Sequence, residues 1–122
     1  MTIQNWSDNI IMAELADEPA FTDDLDALVE MAEDRPRDMV LNFSAVDFLN
    51  SSNIARLLKL RKVVSSGNRR LVLCGINTQV WGVFLVTGLD KIFEYTNDTA
   101  TALTTVQLGD AGQKNSKDSP KK

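Results

Sequence analysis

Two hydrophobic rhythms alternate along this chain: short apolar runs, and stretches where apolar residues return every third or fourth position. Asn9 to Leu15 is short, apolar and partly alternating, which predicts a first strand, ended by Asp17-Glu18-Pro19. Thr22 reads as the N-cap of a helix, with Asp23 and Asp24 complementing the dipole of its first turn. Leu25, Leu28, Val29 and Ala32 give that helix one apolar face. Glu33 to Asp38 is its exit, where Pro36 disfavours helix at Arg35. Met39 to Phe43 predicts a central strand, and a second helix follows with Ile54, Leu57, Leu58, Arg61 and Val64 on one stripe, widened by Leu60 and Val63. Arg56, Lys59 and Lys62 recur on another side, and Gly67 is the expected left-handed cap. Arg69 to Gly75 predicts a third buried strand. Thr78 opens a third helix with Val80, Trp81, Phe84 and Leu85 inward, which stops near Gly88. A turn and short strand over 89–95 and a last helix through Ala102, Leu103 and Val106, capped by Asn97-Asp98, complete the pattern.

Strands alternating with helices through short links predict an α/β layered fold, parallel wherever a helix intervenes. At 122 residues, one domain is expected, over 1–108. From Gly109 the apolar residues run out, so 109–122 is expected to be a disordered tail.

Between the central strand and the second helix stand four small polar residues, Asn50-Ser51-Ser52-Asn53, any of which can cap a helix. Two hydroxyls thus fall in a first helical turn, where unpaired N–H groups and the dipole favour negative charge. Helix capping alone is the plain reading of such a cluster. A phosphoryl group placed there would be tolerated by the fold and would alter an exposed rim.

Composition narrows the chemistry. There is no histidine and one cysteine, Cys74, which argues against zinc, haem, a serine triad and any internal disulfide, and fits a reducing cytoplasm. No enzyme activity, metal or cofactor is expected. No apolar run is long enough to span a bilayer, and the N-terminus lacks the pattern of a signal peptide. The net charge of −4 is unevenly spread: residues 1–50 hold twelve of the seventeen acidic groups, residues 51–91 seven basic groups and one acidic. An acidic half disfavours nucleic acid, and the basic middle suits an acidic protein partner.

The strings Met39 to Phe43 and Val46 to Ser52, with Arg70 to Gly75, Val86 to Phe93 and Tyr95 to Ala102, resemble the STAS domain of anti-sigma factor antagonists and sulfate transporters. The resemblance covers roughly 38–105. It implies a mixed β-sheet of four to five strands with helices packed mainly on one face. It also implies a cytoplasmic bacterial regulator whose loop serine is phosphorylated by a partner kinase, the anti-sigma factor, and restored by a metal-dependent serine phosphatase. Position by position, Ser51 falls on the phosphoacceptor and Ser52 on the second hydroxyl. Asn50 stands where the family carries aspartate, and Asn53 where it carries glycine. Asn50, Asn53, Arg56 and Lys59 are the expected partner-binding residues. Two other readings compete: a constitutive STAS adaptor, for example on a transporter ATPase, and a phosphotransfer receiver, for which the late-strand lysine is missing.

Overall fold

A computed structural model of the chain describes residues 1–111, with side chains through Leu108. Five strands and four α-helices follow in the order β1 (Thr2–Ser7), β2 (Ile10–Ala16), α1 (Ala20–Asp34), β3 (Asp38–Ala45), α2 (Ser51–Ser66), β4 (Leu71–Cys74), α3 (Thr78–Thr87), β5 (Glu94–Thr96) and α4 (Thr99–Ala111). A 3-10 turn at Leu89–Lys91 joins α3 to β5. The expected tail, apart from the end of α4, lies outside the described residues.

The sheet order is β1-β2-β3-β4-β5, so every strand lies beside its neighbour in sequence. β1 and β2 form an antiparallel pair, and the remaining pairs, each joined through a helix, are parallel. Strand alternation then sorts the core onto two faces. Ile11, Ala13, Met39, Leu41, Leu71 and Leu73 point to one side, against Phe21, Leu25 and Leu28 of α1, Leu57 and Leu60 of α2, and Val80 and Phe84 of α3. Ile10, Met12, Val40, Val72 and Cys74 point to the other, against Ala102, Leu103 and Val106 of α4. Three helices therefore share one face, as the resemblance implied, and one closes the other. β3 is fully buried from Asp38 to Leu41, the central strand its composition predicts.

Several local expectations are corrected. The strand foreseen at 9–15 is the second, not the first. β1 precedes it and is nearly all exposed, with only Ile3 packed inward, so it carries no buried alternation to read. Thr22 lies inside α1, whose N-cap is Pro19. Proline has no N–H to leave unpaired there. Glu18 does the capping instead: its carboxylate accepts from the Thr22 N–H at 2.9 Å and from the Thr22 hydroxyl at 2.6 Å.

On α2 the buried stripe is Asn53, Leu57, Leu60 and Val64. Leu58 and Arg61, expected inward, are exposed, and the Arg61 Nε donates to the Ile92 carbonyl at 3.1 Å. Leu85 of α3 is also exposed, because that short helix buries only Val80 and Phe84. The left-handed residue after α2 is Asn68, at φ 61, and not Gly67, at φ −88. Asparagine adopts that conformation readily, and Gly67 answers a different need: a Cβ there would lie 2.9 Å from the Pro36 ring.

Candidate functional site

The loop from Val46 to Asn50 leaves the C-terminal end of the central strand, and its two ends are anchored by different means. Val46 and Leu49 are buried, fixing the loop to the core, whereas Phe48 between them is 62% exposed. The Asp47 N–H donates to Asp17 Oδ1 at 2.9 Å. From β4's side, the Asn77 amide donates to the Val46 carbonyl at 2.9 Å and to Asp47 Oδ1 at 3.1 Å. The same Asn77 caps α3 by accepting from the Val80 N–H at 2.9 Å. Gly75 makes this approach possible. At φ +69 it turns the chain where a Cβ would meet Ser44 Oγ at 2.6 Å and Asn42 Oδ1 at 2.7 Å.

At the loop's far end Asn50 and Asn53 form a reciprocal capping box. The Asn53 N–H donates to Asn50 Oδ1 at 2.8 Å, and the Asn50 N–H donates to Asn53 Oδ1 at 3.0 Å. Beneath it, Asn53 Nδ2 donates to Glu18 Oε2 at 2.8 Å, so the start of α2 is tied to the start of α1. Asn53 is fully buried. Expected to meet a partner, it instead holds the loop from below, because every polar atom of its amide is turned into the protein. The bonds from the Thr22 hydroxyl, Asn53 and the Thr22 N–H, aided by the Arg56 charge, hold the Glu18 carboxyl below its ordinary value of 4.5.

Ser51 and Ser52 occupy the first turn of α2 and are both exposed. Their surroundings differ. The Ser52 hydroxyl is bonded to the Arg56 guanidinium, whose Nε pairs with Asp26 of α1 at 3.0 Å. No hydrogen bond engages the Ser51 hydroxyl among the described residues. Lys59, a turn beyond Arg56, is exposed. The structure thus brings Asn50, Ser51, Ser52, Asn53 and Arg56 to one helix end, and adds Glu18, Thr22, Asp26 and Asn77. Those four come from other elements, and nothing in the local sequence marks them. Phe48 and the exposed Leu58 add apolar surface to the same loop and helix.

No helix among the described residues is long and apolar enough to cross a membrane. No curated protein sequence matches the chain. Solved structures do. An anti-sigma-factor antagonist (STAS) domain protein from Planctomyces limnophilus superposes with a TM-score of 0.72 at 17% identity, covering 87% of this chain and 97% of that one. The anti-sigma factor antagonist SpoIIAA in its unphosphorylated form gives 0.67 at 15% identity, over 87% and 96% of the two chains. A sulfate transporter family protein from Wolinella succinogenes gives 0.67 at 15%, over 82% and 84%. At these identities the likeness is one of fold. The STAS domain family model, however, matches residues 3–102, nearly the whole described chain, and so the chain belongs to the STAS domain family.

Proposed function

We propose that this chain is a regulatory binding module of the anti-sigma factor antagonist type, gated by phosphorylation of Ser51. The partner would be a serine kinase that is itself the anti-sigma factor, with a metal-dependent serine phosphatase to reset the switch. One observation carries the reading: at a helix start where the Asn50, Ser52 and Asn53 side chains are hydrogen-bonded, the Ser51 hydroxyl is exposed and unengaged among the described residues. Ser52 is the poorer acceptor because Arg56 already holds its oxygen.

A phosphate on Ser51 would add about −1.5 to −2 charges in the first turn of α2, where the dipole accepts them. The fold therefore survives modification. What changes is the rim, where Phe48, Arg56 and Lys59 would meet a docked protein. Arg56 can turn from Asp26 towards the phosphate and so withdraw a donor from the partner. A module of this kind binds and needs no catalytic group of its own.

The test is partner capture. Ser51→Asp should abolish binding to the cognate kinase, a loss of at least a hundredfold, with the melting temperature unchanged, while Ser51→Ala binds like the wild type. Equal binding by Ser51→Asp would rule out phosphate gating here. A constitutive adaptor is the second reading. It draws support from the Asn50–Asn53 box, which closes the loop without the aspartate and glycine of the switch motif, and from the likeness to a sulfate transporter family protein. An unmodified loop in phosphopeptide mapping of protein from its native cells, across growth and stress, would favour that adaptor.

A further inference from the structure

The two edges of the sheet are built differently. β5 has three residues, Glu94–Thr96, with Glu94 and Tyr95 both exposed, but it carries a charge and contacts: Glu94 is paired with Arg70, Tyr95 meets Trp81 at a ring distance of 4.6 Å, and α4 touches the strand. Shortness, charge and cover are the usual means of keeping an edge from pairing. β1 has none of them. Its six residues, Thr2-Ile3-Gln4-Asn5-Trp6-Ser7, include no charge and no proline, and only Ile3 is even partly buried. Its inner side pairs with β2, so its outer row of backbone N–H and C=O groups faces away from the sheet. A bulge between Asn5 and Ser7 confines the flat part to Thr2–Asn5.

We propose that this edge pairs with β1 of a second copy of the chain, in antiparallel register about a two-fold axis near Gln4. Two identical strands meeting edge to edge under a closed two-fold must run antiparallel. The faces of the two sheets match only if each residue meets one of its own parity, so Gln4 faces its counterpart and each Ile3 faces an Asn5. The pairing sets amide against amide at the axis and leaves no like charges directly opposed, which matters for a chain of net charge −4. The flat part of the strand, four residues, is about 13 Å long. The contact is therefore small beside the roughly 1,200–2,000 Å² of a stable complex, and the dimer is a weak one. It is independent of the switch at Ser51.

Sedimentation equilibrium of the full chain, from about 1 to 500 µM, should show a reversible monomer–dimer transition. Gln4→Lys, which opposes two ammonium groups at the axis, should weaken it at least tenfold with an unchanged far-ultraviolet circular dichroism spectrum. A wild type that stays monomeric throughout overturns the proposal, as does Gln4→Lys dimerising like the wild type. Should Gln4→Lys disturb the fold, Gln4→Cys decides: under mild oxidant it should give a disulfide-linked dimer, since Cys74 is buried, and failure to cross-link counts against the pairing.

Discussion

The two ends of the parallel sheet solve the same problem, holding loops to strands, with opposite chemistry. At the N-terminal end of β3 a buried carboxylate does the work. Asp38, 2% exposed, accepts from the Arg70 N–H at 2.8 Å and pairs with Arg69 Nη2 at 2.9 Å. At the C-terminal end, where α2 begins, neutral amides predominate: Asn50, Asn53 and Asn77, with the half-buried Asp17 and the exposed Glu18 accepting from a backbone N–H and from the Asn53 amide. A buried charge locked to its partner resists change, because breaking the pair strands an ion away from water. Amide clamps hold the backbone without fixing the local charge, so a phosphate can arrive beside them without displacing a buried counter-ion. One end is held by a buried ion pair, and the end proposed to switch mainly by amides.

The contrast predicts a graded response to substitution. Asp38→Ala should cost the most, about 3 kcal/mol in urea unfolding, since it leaves the Arg70 N–H and the Arg69 guanidinium without their shared acceptor. A loss under about 1 kcal/mol would place the fixed end elsewhere. Asn53→Gly should cost about 1–2 kcal/mol by removing the capping box and the bond to Glu18. It should also raise amide exchange over the first turn of α2. Asn77→Ala should cost about 1 kcal/mol through the lost cap on α3, and should loosen Val46 and Asp47 in the same exchange experiment.

The smallest effect concerns acid. Because the Glu18 carboxyl titrates below its ordinary value of 4.5, the folded state favours the charged form. That stabilisation is complete at neutral pH, begins to fade near the ordinary value, and is lost as pH falls through the lower folded value. Glu18→Gln should therefore flatten the fall in stability on acidification below pH 4.5. A slope matching the wild type would show that Glu18 takes no part in the acid response.

Much of the fold was legible because its strongest signals are local. Met39 to Leu41 and Leu71 to Cys74 are continuous apolar runs, and a strand covered on both faces needs such runs. β1 was not legible, because an edge strand with one inward side chain looks like loop. The α2 stripe was misplaced by less than one turn: Leu58 and Arg61 fit the spacing as well as Leu60, and only the packing of α1 along α2 chooses between them. At the site, the capping cluster announced the helix start and the pair of exposed serines. Glu18, 35 residues before Asn53, carried no local mark, since its role follows from α1 and α2 beginning side by side.

Strand order that follows chain order has a consequence for synthesis. Each strand leaving the ribosome finds its partner already made, so the sheet can grow one edge at a time from β2 onwards, without waiting for distant segments. The loop before α2 is the exception. Asp17 and Glu18 are in place before it emerges, but Asn77, which fastens Val46 and Asp47, lies beyond β4. A nascent chain halted after α2 should carry a formed capping box and an unfastened loop, readable as rapid proteolysis near Asp47 that ceases once residue 77 has cleared the exit tunnel. Slow cleavage there in the shorter chain would mean that Asp17 and the buried Leu49 suffice. The loop beside the proposed switch would thus be fastened only after the helix that follows it has formed.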